Sequence, residues 1–207
     1  NPVNEYVVRI DFLNDHDPYC NYTGMLTVKD TSKVQLNFSP VQLTLDLANL
    51  PIPLTQNSSF LPETLYVIVP DAFSDSDLAA AATVSGIMGR TANANVQVEL
   101  IKSSQATTQL LQKSNAVVIG RPDNNTFLQN LYSQSGLPTT YSGGTFYNKS
   151  TGKPIGKDDG ILQITPSPLS PYNTMLIISG GSDVAIQRAA NSLAIESIGQ
   201  EGYLSVV

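Results

Sequence analysis

The 207-residue chain predicts an α/β domain built on a mostly parallel sheet and preceded by a shorter segment of antiparallel strands. Three observations carry this expectation. Residues 5–50 alternate apolar and polar with the period of a half-buried strand. A proline-rich stretch then interrupts the pattern, and beyond it short continuous apolar runs are each followed by a helical pattern.

In chain order, Glu5–Phe12, Met25–Lys29, Val34–Phe38 and Val41–Leu47 each read as a strand with one apolar face. Four such strands bury too little surface to stand alone and call for more chain to pack against, as at the end of a larger β-sandwich. Between Leu50 and Pro62 lie three prolines in thirteen residues, each disfavouring a helical conformation in its predecessor. This linker or extended stretch divides the chain into residues 1–55 and 56–207.

In the second part, Leu65–Val69 is apolar without alternation, which fits a strand covered on both faces, and Ser74–Asp77 opens a helix running to Gly89. The unit recurs as Val96–Ile101 with Ser104–Lys113, Ala116–Gly120 with Asp123–Ser133, and Met175–Ser179 with Ser182–Ile198. Four βα units with short connections imply a doubly wound sheet with helices on both faces, flavodoxin-like or Rossmann-like. Gly136–Pro171 reads as a long loop or hairpin with one more strand candidate at Ile161–Ile164, and long excursions of this kind are often functional.

Composition narrows the function. Eleven basic residues, scattered singly in a chain of net charge −6, leave no stripe to neutralise a phosphate backbone, so nucleic acid is excluded as a partner. No apolar run approaches the ~20 residues a membrane helix needs. The chain opens on Asn1-Pro2-Val3 and reads as a mature or excised segment. Its single cysteine, Cys20, has no partner for an internal disulfide and reads as a buried thiol.

The ends of the parallel strands are where a doubly wound sheet keeps its chemistry. After the first strand, Asp71, Asp75 and Asp77 would repel the phosphate that a flavin or dinucleotide presents, whereas Ser74 as a cap and aspartates in the first helical turn explain the same residues structurally. The third strand ends in Gly120-Arg121-Pro122, without the aspartate a phosphoacceptor requires. There is no Gly-x-Ser-x-Gly elbow, and the only histidine, His16, lies in the β segment, which excludes a Ser/His/Asp triad. The donors around His16 between Asn14 and Cys20 read as a turn rather than a metal site. No catalytic residue, cofactor or metal is therefore expected.

Two candidate sites remain. Gly180, Gly181 and Ser182 open the last helix, where they would bind an anion or simply close a tight turn. Tyr132, Tyr141, Phe146, Tyr147 and Tyr172, in or beside the excursion of a chain without Trp, would offer sugar-stacking faces or a partner surface, or would pin the excursion to the sheet.

The stretch LPETLYVIVPDAFSDSDLAAAATVSGIMG (Leu61–Gly89), with Ala116–Gly120, Asp158–Gln163, Ser167-Pro168 and Leu176–Gly180, resembles the flavodoxin-like domain of the bacterial cellulose synthase B subunit family. Cys20, Val34–Phe38, Asp46-Leu47 and Leu50–Pro53 resemble the end of the jelly-roll carbohydrate-binding domain that precedes it there. The resemblance implies a periplasmic or surface-located accessory subunit, not itself the glycosyltransferase. Such a subunit pairs with a membrane-embedded catalytic synthase subunit and guides a β-glucan or related polysaccharide outward; in the family a membrane anchor and a second half follow. Leu169 stands where the family carries Trp. The rival reading is a small-molecule or nucleotide-binding domain with its ligand at Ser179–Asp183.

Overall fold

The computed structural model describes residues 45–55, 63–91, 96–134, 136–193 and 202–207. The strands expected within residues 5–38, with His16 and Cys20, lie outside the described residues.

The continuous apolar runs form the middle of a sheet. Its strands are β1 (Glu63–Val69), β2 (Val96–Lys102), β3 (Ala116–Ile119), β6 (Gly160–Ser167), β7 (Ser170–Gly180) and β8 (Leu204–Val206), while β4 (Thr139–Ser142) and β5 (Thr145–Asn148) pair separately as an antiparallel hairpin. The sheet order is β2-β1-β3-β7-β6-β8. The first four strands are parallel; β6 runs antiparallel to β7, and β8 antiparallel to β6.

Register explains why both faces of the central strands are covered. Val67, Val117, Leu176 and Ile164 stand side by side on one face, and the next row, Ile101, Ile68, Val118 and Ile177, points the other way and ends on Gln163. The first face is covered by α2 (Asp75–Thr91) through Ala80, Ala81, Val84 and Met88, a stripe at helical spacing, and by α5 (Asp183–Ser192) through Ile186, Ala189 and Ala190. The second is covered by Leu111 of α3 (Thr108–Leu111), by Leu128 and Leu131 of α4 (Thr126–Ser133), and by Leu137. The result is a mixed α/β sheet, mostly parallel, with an antiparallel edge.

Several elements depart from the sequence expectation. The helix expected over Ser104–Lys113 is a 3-10 turn at Ser103–Gln105 and then the single turn α3, because the serines are bonded to Asp71 and Thr107 caps a new start by accepting from the Leu110 N–H at 3.4 Å. The helix expected from Asp123 begins at Thr126, where Asn125 Oδ1 accepts from the Leu128 N–H at 3.0 Å. The alternating pattern ending at Leu47 gives way to a 3-10 turn, Leu47–Asn49, capped by Asp46, followed by the short α1 (Ile52–Thr55); Leu47 and Leu54 enter the core beside β1 and α2. The excursion holds the β4–β5 hairpin and the long β6. Among the described residues no helix is long and apolar enough to cross a membrane.

The two leucines of α3 separate burial from propensity. Leu111 is wholly buried, so Leu111→Ala should cost about 2–5 kcal/mol in urea unfolding. Leu110 is 37% exposed, and Leu110→Ala should cost under about 1 kcal/mol.

Candidate functional site

A doubly wound sheet binds ligands in the crevice beyond its carboxyl ends, where successive helices change faces. Here that place lies between β1, followed by α2 on one face, and β3, followed by α4 on the other. Pro70 follows β1 and Gly120 follows β3. Gly120 has φ +124, and a Cβ there would stand 2.9 Å from Pro70 Cγ, so the two loops touch and only glycine fits. The crevice is closed by the protein itself.

The loop groups around this contact bond to one another. Asp71 accepts from the Ser103 hydroxyl at 2.9 Å, the Ser104 hydroxyl at 2.6 Å and the Ser104 N–H at 3.2 Å. The Ser104 and then the Ser103 hydroxyl hold its carboxyl below the ordinary carboxylate value. Ser74 and Asp77 form a capping box at the start of α2, with the Asp77 N–H on Ser74 Oγ at 3.1 Å and the Ser74 N–H on Asp77 Oδ2 at 2.9 Å. The Ser179 hydroxyl donates to Gly120 O at 2.6 Å, and Arg121 pairs with Asp183 at 3.0 Å. The loops after β1 and β2 are thus tied together, as are those after β3 and β7.

The Gly180-Gly181-Ser182 turn is shaped by close packing. A Cβ on Gly180 would meet Ala185 Cβ at 2.4 Å, and one on Gly181 would meet Lys157 O at 2.7 Å. Ser182 caps α5 by accepting from the Ala185 N–H at 3.2 Å while its hydroxyl donates to Asp158 at 2.6 Å. With Asp158 and Asp183 both at this helix start, the protein's own carboxylates occupy the electropositive end.

Of the five aromatic candidates, three come together. Tyr141 and Phe146 have ring centroids 4.6 Å apart, and Tyr132 packs edge-on to Phe146 at 5.7 Å and lies 6.2 Å from Tyr141. Phe146 is 1% exposed, so its ring lies inside the hairpin contact and not at the surface. Tyr132 and Tyr141 are half-buried. Tyr147 points to the other side of β5 and is half-buried; the side chain of Tyr172 lies outside the described residues.

The sequence reading missed the group that holds the cluster in place. Gln163, wholly buried, accepts at Oε1 from the Thr139 N–H at 3.2 Å and the Thr139 hydroxyl at 2.8 Å, and its Nε2 donates to the Tyr132 hydroxyl at 2.7 Å. The single Thr139 hydroxyl proton goes to Gln163, so Tyr132 is the donor across the 2.8 Å contact with Thr139. Donors and acceptors close a ring. Tyr141 adds a latch by donating to Asp123. A lone amide inside the apolar run Ile161–Ile164 was the available signal.

The described residues therefore define an α/β domain whose strand-end rim is closed on itself and whose inserted hairpin is pinned by aromatic and amide contacts. They bring together no group of three or more His, Cys, Asp or Glu side chains fit to hold a metal ion. The family model described as cellulose synthase BcsB, first FD domain, matches residues 46–206, and the chain belongs to that family, as its sequence resemblance implied. No curated protein matches the chain significantly.

Removing the Tyr132 hydroxyl leaves the buried Gln163 Nε2 without its acceptor, so Tyr132→Phe should lower unfolding stability by about 1–3 kcal/mol. Burial pushes the Tyr132 phenol up to about 12; burial, with the Asp123 hydrogen bond and charge, takes Tyr141 to about 12 as well. Both folded values lie above the ordinary 10. The stability these neutral phenols contribute is thus intact below pH 10 and is lost as pH rises toward 12, with the smaller share from the more exposed Tyr141. An ultraviolet pH titration should show these two phenols among the last to ionise, with alkaline unfolding in the same window.

Proposed function

We propose that this domain is a non-catalytic accessory module of bacterial cellulose or related exopolysaccharide synthesis and export. It acts on the periplasmic or extracellular side of the membrane, by binding polysaccharide or by docking within the synthase beside its membrane-embedded catalytic subunit. The observation that carries this reading is the closed rim: Pro70 fills the crevice against Gly120, and the surrounding hydroxyls and carboxylates bond to one another. Donors that could hold the phosphate of a nucleotide or flavin are taken by carboxylates: Asp71 accepts from the Ser103 and Ser104 hydroxyls, and Asp77 accepts from the Ser74 N–H. Family membership supplies the cellulose context. The strand order β2-β1-β3-β7 supports a flavodoxin-like description of the parallel half, and the alternating apolar-polar sequence before it supports a reading as the end of a jelly roll.

The purified chain should carry no flavin absorbance, should show no change in Tm with flavin mononucleotide, nucleoside triphosphates or a cyclic dinucleotide, and should not turn over cello-oligosaccharides. It should co-purify with the catalytic synthase subunit when the two are co-expressed in the full-length context. A nucleotide-dependent rise in Tm, or measurable turnover, would overturn the assignment.

A further inference from the structure

We propose that the cleft between the turn after β5 and the segment entering β8 is a glycan subsite, with Tyr203 as its stacking platform. The inference rests on the reading of the domain as a polysaccharide-handling module and names where the sugar would sit. The cleft has a volume of about 420 Å³, within the roughly 300–1,000 Å³ typical of small-molecule sites. Pro138, Asn148 and Ser150 line one side, and Gly202 and Tyr203 the other.

Tyr203 is 58% exposed, more than any other large apolar or aromatic side chain among the described residues, yet its backbone is held. Its carbonyl accepts from the Ile164 N–H at 3.0 Å. The preceding Gly202 donates to Asp46 Oδ1 at 2.8 Å and accepts from the Leu47 N–H at 2.7 Å. Binding therefore need not order the main chain that carries the ring, which lowers the entropic cost of contact.

The opposite wall is equally fixed. Asn148 Oδ1 accepts from the Ser150 N–H at 3.0 Å, the Ser150 hydroxyl at 2.7 Å and the Thr151 N–H at 3.2 Å, and the Lys149 N–H closes onto Pro138 O at 3.0 Å. With Oδ1 so engaged, the Asn148 amide NH2 has no partner among the described residues, and the Tyr203 hydroxyl has none either. A pyranose presents an apolar face edged by hydroxyls. An exposed ring, an unspent amide donor and a phenol hydroxyl, with no carboxylate among the described lining residues, match that pattern.

The test is an NMR titration of the full chain with cellohexaose, followed at assigned backbone amides, for the parent protein, Tyr203→Ala and Tyr203→Phe. Shifts should cluster at residues 148–150 and 202–204. Tyr203→Ala should weaken binding about tenfold, and Tyr203→Phe, which keeps the ring, should stay within about threefold. Amides remote from the cleft report in each variant that the fold is intact. Binding with shifts elsewhere and no loss in Tyr203→Ala would overturn this site while leaving polysaccharide binding standing. An absence of any shift in the parent protein would overturn both the site and the polysaccharide-binding role, leaving docking within the synthase.

Discussion

The buried amide of Gln163 is the constraint around which the antiparallel half of this domain is arranged. It ends a row that is otherwise apolar across the sheet, Ile101, Ile68, Val118 and Ile177. A side chain with both a donor and an acceptor there would cost more than its hydrogen bonds return if it were left unpaired. The β4–β5 hairpin brings Thr139 to the acceptor side, and α4 brings Tyr132 to the donor side. Each hydroxyl then has one proton to give and one neighbour to receive it. Such a ring works only when all three residues are present, so docking of the hairpin, placement of α4 and register of β6 are one decision. The aromatic contacts among Tyr132, Tyr141 and Phe146 follow from that docking.

The parallel half is organised by closure. Helix starts and strand ends concentrate unpaired backbone donors, which is why this rim so often receives phosphates. Here the same needs are met from within. Ser74 and Asp77 satisfy one another at the start of α2, Asn125 caps α4 and donates back to Ile119 O at 2.9 Å, and Ser182 caps α5. Asp71 reaches across to the serines after β2 and is kept ionised by them. Pro70 lying on Gly120 removes the remaining space. Each cap takes an N–H group at the start of its helix, and the loops so anchored are held by the protein's own contacts.

How much of this was legible in the sequence depended on which physical signal each element carries. Leu65–Val69, Ala116–Gly120 and Met175–Ser179 could be read as doubly covered strands, because burial on two faces demands unbroken apolar runs. The direction of β6 was not readable, since Ile161–Ile164 has the composition of a buried strand of either orientation. The β4–β5 hairpin carries its signal in Gly143-Gly144, both with positive φ, rather than in its strands, which are rich in Thr, Tyr and Asn and expose one side. Residue type nominated Tyr132, Tyr141 and Phe146 either as a sugar or partner surface or as pins for the excursion, without choosing between them. The bond that ties Tyr132 to Gln163 joins positions 31 residues apart, a relation that no local pattern encodes. Tyr203 escaped notice because it lies outside the excursion.

Open space lies away from the Pro70–Gly120 contact. Clefts of about 420, 530 and 270 Å³ are bordered respectively by the turn after β5 with Tyr203, by α5 with Val206, and by the end of α4 with the β6–β7 turn. Each borders the hairpin, β6 or β8, and none lies at the Pro70–Gly120 contact. The Pro70–Gly120 contact lies at the strand ends of the parallel half, whereas these clefts follow the hairpin, the antiparallel edge strands of the same sheet and α5.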